Sequence, residues 1–324
     1  LPRVALGDSI HDVSVIEATR MVRRMPHQNA SADATLISII ITCFNHARYL
    51  PEAIESAVAQ SYETTEIIVV DDGSTDHTST VLRAYPSATY IYQENQGLAA
   101  ARNTGWRACR GDFVVFLDAD DRLLPDALSD GLSCLQANPE CAFVSGHFRY
   151  IKADGSFLRE FAPASVDRDH YRAFLRGNYV AMHATVMYRR AVLEWAGGFN
   201  TSLDACEDYD LYLRIARQHP ICCHATVVAE YRQHNANMSG DAGLMLRTAV
   251  EVLRSQQAYV DAEGSLRKAF RVGLRSWILH YGKHLIRQLF VACRHRDLKQ
   301  ALRALAILFH YCPYYFSTSR RTNS

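Results

Sequence analysis

The sequence predicts an α/β protein with a mostly parallel central sheet flanked by helices, followed by a helical extension at the C-terminal end. Two observations carry this. Short, wholly apolar runs alternate with stretches of helical period between residues 36 and 117, and three of those runs end in polar clusters. A strand that is apolar at every position is covered on both faces, which is how parallel sheets sit between layers of helices.

The elements follow in order. Residues 36–41 are an apolar run leading into Thr42, Cys43, Phe44 and Asn45, a buried strand and its loop. Residues 50–59 have helical period, with Pro51 in the first turn, where its missing N–H is not needed. Residues 66–70 form a second buried strand closed by Asp71, Asp72, Gly73, Ser74, Thr75 and Asp76, and a helix follows to about Tyr85. A strand at residues 89–93, a helix opened by Gly97, and a third apolar strand at residues 113–117 complete the pattern. Ligands of such sheets bind beyond the carboxyl ends of the strands. Residues 42–45, 71–76 and 118–121 all fall at such ends, so one edge of the sheet collects three polar clusters.

Composition narrows the class. The chain has 35 Lys/Arg and 34 Asp/Glu, but from Leu266 onward 12 basic residues stand against one acid, Asp297. A basic tail suits an anionic partner such as a membrane surface. No recognised nucleic-acid module accompanies it, so nucleic acid is not an expected partner. Nine cysteines without a CxxC pair read as reduced thiols of a cytosolic protein. No apolar run reaches the roughly 18 residues of a membrane span, and the N-terminus lacks a signal-peptide core. The expected location is cytoplasmic, either free or peripheral on the inner face of the cytoplasmic membrane.

Asp118, Ala119, Asp120 and Asp121 directly follow the third apolar strand. Carboxylates this close repel unless a cation compensates them, and Mg²⁺ or Mn²⁺ binds through one or two carboxylates plus substrate phosphates. The same four residues equally describe a solvated acidic turn or the cap of the next helix. Asp72 can accept the imide N–H of a uracil-type base, while Ser74, Thr75 and Asp76 read as helix caps. Arg102 lies on a helix opened by Gly97, where a phosphate is favoured, and is a candidate to pair with a diphosphate or to be a plain surface arginine. Glu207 and Asp208 enter a helix. Asp208 is the candidate general base, against the simpler reading of favourable charge at a helix N-terminus.

Taken together, residues 38–45, 71–76, 95–103, 116–121, 197–199 and 207–211 resemble, in order and spacing, the motifs of family 2 glycosyltransferases with the Rossmann-like GT-A fold. The resemblance spans residues 36–239, with Cys43 a small departure in the first loop. It implies that Asp72 contacts the donor base, that Asp118 meets the ribose or the metal, that Asp120 holds the metal and that Asp208 is the base. Thr42, Asn45 and Arg102 then lie near the nucleotide and its phosphates. His234 is a candidate to complete the metal shell or touch a phosphate, and Glu207 and His183 are candidates for the acceptor side. A satisfied core or surface histidine describes His183 and His234 equally well.

The division expected is an N-terminal arm (1–34), a GT-A catalytic domain (35–240) and a basic amphipathic helical extension (241–324). In the extension, Leu298, Leu302, Leu305 and Phe309 share one helical arc, opposite Arg296, Lys299 and Arg303. That arc suits a membrane interface, with Trp277, Tyr281, Tyr311, Tyr314 and Tyr315 at the boundary, or packing against the catalytic domain. The expected activity is inverting, Mn²⁺- or Mg²⁺-dependent transfer from a nucleotide-diphosphate sugar, UDP-sugar favoured, to a glycan or lipid-linked acceptor. The other readings are a sugar nucleotidyltransferase, for which residues 42–49 lack a glycine-rich phosphate loop, and an inactive nucleotide-binding scaffold.

Overall fold

The computed structural model describes residues 35–161, 166–261 and 263–312. Residues 1–34, Tyr314 and Tyr315 lie outside them. The described residues from Thr35 onward belong to one compact unit. Its first half runs β1 (Ile37–Cys43), α1 (Leu50–Val58), β2 (Thr65–Asp72), α2 (Thr78–Leu82), β3 (Thr89–Gln93), α3 (Leu98–Ala108), β4 (Phe113–Asp118), β5 (Arg122–Leu123) and α4 (Ala127–Ala137). Then come β6 (Phe143–Lys152), β7 (Phe157–Phe161), α5 (His170–Arg176), β8 (Val186–Arg189), α6 (Arg190–Ala196), α7 (Glu207–Ala216) and β9 (Cys222–Gln233). The helices α8 (Ala242–Ser255), α9 (Gln257–Val260), α10 (Gly264–Arg294) and α11 (Leu298–Tyr311) close the described chain.

The strands make one sheet in the order β3-β2-β1-β4-β8-β6-β9-β5, with β7 beside β6. β3, β2, β1 and β4 are mutually parallel; β8 runs antiparallel to both β4 and β6. The apolar runs follow the pleat. Ile37, Ile39 and Ile41 enter one core cluster, while Ile40 enters the other, so β1 is covered on both faces. Register then sets the functional edge: Thr42 pairs with Val70 on one side and Asp118 on the other, and Cys43 pairs with Asp71.

The C-terminal helices share this core. Ala249, Val252 and Leu253 of α8 and Ala269 and Phe270 of α10 join the cluster that contains Ile40. Gly273 lets α10 approach α5 so closely that a Cβ there would lie 2.0 Å from the Leu175 carbonyl oxygen. Of the two readings of the apolar arc, packing on the domain is not what α11 uses it for, and one expectation, the boundary placement of Trp277 and Tyr281, is corrected. The helix α11 packs through Ala304 and Leu308 against Leu246 and Leu285, and not through its large apolar arc. Leu298, Leu302, Leu305 and Phe309 are 75, 66, 38 and 71 % exposed. Trp277 and Tyr281, expected at a membrane boundary, stack on each other at 5.6 Å and turn inward, Trp277 lying 5.7 Å from the buried Tyr209 ring. Among the described residues no helix is long and apolar enough to cross a membrane.

Candidate active site

A cleft of about 480 Å³ opens at the carboxyl edge of β1, β2 and β4, and its lining includes Asp72, Asp118, Asp120, His183, Glu207 and Asp208. A larger cavity of about 860 Å³ elsewhere, lined by Cys134, Cys222 and His170 among others, holds none of these acids.

Arg102 is the hinge of the charge arrangement. It is 2 % exposed on α3, and its Nη2 donates to Asp118 at 2.9 Å while Nη1 donates to Glu207. Burial opposes the guanidinium charge, but Asp118 first and then Glu207 outweigh it and hold its pKa above the ordinary value. The end of β4 is thereby tied to the start of α7. Thr42 Oγ1 adds a hydrogen bond to Asp118 Oδ1 at 3.0 Å, so that carboxylate already accepts from two protein donors. Glu207, expected on the acceptor side, lines the cleft but is buried, and its carboxylate accepts from Arg102.

Asp208 is the next residue of α7 and faces the cleft half-buried. Desolvation by the surrounding protein, and then the neighbouring Glu207 charge, push its carboxyl up from 3.8 to about 7, against the opposing pull of Arg102. Its turn is set by Cys206, which takes a left-handed conformation with φ of 58° just before the helix. His183 also lines the cleft. Its ring stacks on Phe116 at 5.1 Å and meets the Tyr188 hydroxyl through Nε2 at 3.0 Å. Burial, and then Arg102, hold its pKa well below the ordinary value, so the ring is neutral.

The other acids divide their work. Asp72 Oδ1 accepts from Gln93 Nε2 at 2.6 Å and from the Gln96 N–H at 2.9 Å, and Oδ2 accepts from the Gly97 N–H at 2.9 Å. It orders the entry to α3 and keeps one acceptor site on Oδ2. Asn45 clamps loops: its Oδ1 accepts from Thr75 N at 2.8 Å, and its N–H donates to Ser74 Oγ at 2.9 Å. Ser74 and Thr75, read as helix caps, therefore serve the β1 loop instead. Asp121 does not cap a helix either, because β5 intervenes. Its carboxylate accepts from the Arg232 N–H at 2.8 Å, and burial, then Asp120 and Asp118, push its pKa well above the ordinary value.

Around Asp120 a different chemistry gathers. His234 Nε2 lies 2.9 Å from Asp120 Oδ2, while the Ala236 N–H reaches His234 Nδ1 at 3.2 Å. The Nε2 nitrogen therefore carries the proton and donates to Asp120. Ligand atoms of His46, Asp120 and His234 all lie within 4.8 Å of one another, the only such group of three among the described residues. One carboxylate and two imidazoles suit a divalent transition ion, so the donor set fits a metal. Tyr49 stacks on His234 at 5.1 Å and 18°.

With this geometry in place, comparison with known proteins decides the family. The family model described as Glycosyl transferase family 2 matches residues 38–195. An uncharacterized glycosyltransferase of Rickettsia prowazekii is 31 % identical over 219 residues, covering 64 % of this chain and 67 % of that protein. The chain belongs to glycosyl transferase family 2. Chondroitin synthase of Escherichia coli is 32 % identical over 191 residues, 57 % of this chain but only 27 % of that protein. A Rickettsia conorii glycosyltransferase at 32 % identity is likewise matched over 34 % of its length, so the chain spans about a third of these longer relatives. In fold, the chain resembles S. aureus TarS in complex with UDP-GlcNAc, with a TM-score of 0.54 at 16 % identity over 85 % of this chain and 91 % of that one. It also resembles a mannosyltransferase from Pyrobaculum calidifontis in complex with GDP-Man and Mn²⁺, with a TM-score of 0.58 at 21 % identity over 93 % and 88 % of the two chains. These neighbours share the GT-A fold.

Two residues of this family 2 chain were given no role by the sequence. Arg232, wholly buried, donates through Nε to the Asp120 carbonyl at 2.8 Å and through Nη2 to Glu52 at 2.6 Å. His46 sits in the β1 loop and carries no sequence signal beyond its place next to Asn45. Spacing to an acidic cluster at the same sheet edge was the available clue for His46; for Arg232 it was its place in residues 231–239, which resemble a late segment of the family and also hold His234.

Proposed function

We propose that this glycosyltransferase inverts configuration at the anomeric carbon. It would move a sugar from a nucleotide-diphosphate donor, UDP-sugar favoured, to a hydroxyl of a glycan or lipid-linked acceptor in the synthesis of a surface polysaccharide or glycolipid. The observation that carries the reading is the Asp208 carboxyl, pushed up to about 7, on the wall of the cleft that Asp120 also lines. A base poised near neutral pH takes the acceptor hydroxyl proton as the oxygen attacks, and attack opposite the leaving diphosphate inverts the centre.

The other residues position. Arg102 and Glu207 fix the start of α7 and so aim Asp208. Asp72 offers its remaining Oδ2 acceptor site to the imide N–H of a uracil ring. Thr42 and Asp118 stand between that site and Asp120, where the ribose and diphosphate pass. A divalent cation, Mn²⁺ or Mg²⁺, bound at Asp120 and His234 would offset the charge of the leaving diphosphate. The UDP-GlcNAc and the GDP-Man with Mn²⁺ bound by the two fold neighbours support a nucleotide-sugar partner and a metal.

A second surface supports a peripheral seat on an anionic membrane. The exposed Leu298, Leu302 and Leu305 form an apolar arc on α11, and Lys299 and Arg303 of the same helix are exposed as well. Apolar side chains with adjacent basic ones suit insertion at the headgroup level of anionic lipid. An acceptor anchored in that lipid would then reach the cleft from the membrane.

Incubating the full chain with UDP-, GDP- and dTDP-linked sugars and Mn²⁺, and following release of nucleoside diphosphate, tests the reading. Release from one nucleotide class is expected. Neither binding nor release with any of the sugars overturns it.

A further inference from the structure

We infer that His46 is a third protein ligand of the cleft's cation, and that the resulting Asp–His–His set selects a divalent transition ion over Mg²⁺. The inference rests on the metal-dependent reading of the cleft and adds to it a ligand from the β1 loop and a class of ion.

The geometry of the pair His234 and Asp120 is already that of neighbouring ligands. Two atoms bound at right angles to one ion, at about 2.1 Å each, lie about 3 Å apart. His234 Nε2 and Asp120 Oδ2 are 2.9 Å apart. The His46 ligand atom falls within 4.8 Å of both, so a shift of about an ångström closes the set. No hydrogen bond joins the His46 ring to another described residue, so both of its ring nitrogens are available. Its ring instead packs at 6.1 Å from Tyr49 and 5.6 Å from His234, which keeps the two imidazoles on the same side of the cleft.

The backbone that carries His46 is fixed on both sides. Asn45, with φ of 57°, is clamped to Ser74 and Thr75, and the Ala47 N–H donates to Asp76 Oδ2 at 2.9 Å. The His46 carbonyl then accepts from Tyr49 N and Leu50 N at 2.9 and 3.0 Å and opens α1. A ligand on so tied a loop is placed in advance. Asp120 is held from behind by Arg232, and its partner His234 lies under the Tyr49 ring.

Loading an ion between these groups balances without loss of a proton. The ion takes the place of the proton on His234 Nε2, that proton moves to Nδ1, and the Ala236 N–H gives up its 3.2 Å contact in the exposed turn before α8. Selectivity follows from ligand type. Mg²⁺ takes oxygen ligands and keeps most of its water, whereas two imidazoles with one carboxylate suit a borderline transition ion with positions left for other ligands.

The test uses the full chain and Mn²⁺ alone, without any donor. In EPR titrations the free aquo-ion signal should disappear on binding, and pulsed EPR should show nitrogen couplings from two imidazoles. His46→Gln should weaken Mn²⁺ binding roughly tenfold or more and remove one of the two couplings, and a hundredfold excess of Mg²⁺ should not displace the ion. A single nitrogen coupling in the wild-type protein overturns the His46 assignment without any substitution. So does unchanged affinity with both couplings in His46→Gln. Displacement by stoichiometric Mg²⁺ overturns the selectivity. Failure of the metal reading itself looks different: Mn²⁺ binding is then absent, or is the same in Asp120→Asn as in the wild type.

Discussion

Arg232 donates through Nε to the main-chain carbonyl of Asp120 at 2.8 Å from a side chain with no exposure to solvent. The same residue donates its N–H to Asp121 and its Nη2 to Glu52, and its guanidinium lies 4.8 Å from the Tyr49 ring. One buried cation thus holds the acidic loop after β4, the last strand β9 and the helix α1 together. Arg232→Met keeps the main-chain N–H to Asp121, and the 39 % exposed Glu52 keeps Arg122, but the Asp120 carbonyl loses its buried donor, a loss of about 1–3 kcal/mol. Urea unfolding should show that loss, with Mn²⁺ affinity falling alongside it. An unchanged midpoint would mean that the loop is held by other contacts.

The Asp208 assignment gives a kinetic prediction. Asp208→Asn should lower kcat by about 10²–10⁴-fold, the usual contribution of a general base, while donor binding stays unchanged. In the wild type, activity should rise with pH through about 7, because the base works only once its carboxyl has lost its proton. Rates of donor turnover measured between acid and mildly alkaline pH check both. A profile flat through neutrality would reject Asp208 as the base.

The same shift makes a prediction about stability. The folded-state pKa of Asp208 is raised above the ordinary carboxyl value, so between them the folded chain binds more protons than the unfolded chain. Its contribution to stability is therefore fully present below the ordinary value and is lost as pH rises through about 7. Asp208→Asn has no charge to desolvate. Its melting temperature should exceed that of the wild type on the alkaline side of neutrality, and the gap should narrow as pH falls from about 7 and close at the ordinary carboxyl value of 3.8. A variant less stable than wild type at alkaline pH would show that the carboxylate is favourably held.

What was legible in the sequence follows the strength of each physical signal. The apolar cores of β1, β2 and β4 (residues 37–41, 67–70 and 113–117) read as buried strands, and they lead into Asn45, Asp72 and Asp118. Asp120 could be placed at the cleft because it follows a strand with a clear end and Asp208 because it enters a helix, whereas His183 rested only on its place in the stretch before Gly197 and Gly198. Arg232 could not, since a charged residue near the end of a strand reads as exposed, and only tertiary contacts with Glu52 and Asp120 reveal otherwise. For the helix α11 the sequence left two readings of its arc open, a membrane interface or packing on the domain. Its large apolar arc looks like the packing face, but Ala301 and Ala304 allow a closer approach and leave the leucines outside.

That exposed arc leads to a membrane prediction. The full chain should sediment with liposomes containing anionic lipid and less so with neutral ones, and added salt should weaken the association. Replacing Leu298 and Leu302 together by Glu should release it, with no change in melting temperature because neither side chain is buried. No binding by the wild type to anionic vesicles would reject the membrane seat.

Arg102 separates charge from geometry at the cleft. Its positive charge lowers the Asp208 pKa against burial and Glu207, so removing that charge makes the carboxylate less favourable. Arg102→Met should therefore move the rise in activity to a pH above about 7, beyond the loss of rate caused by freeing Asp118 and Glu207. Arg102→Lys keeps the charge but not the fork that reaches both acids. It should lower the rate while leaving the pH of the rise close to that of the wild type. If both variants shift the profile equally, Arg102 acts on Asp208 by holding α7 in place and not through its charge.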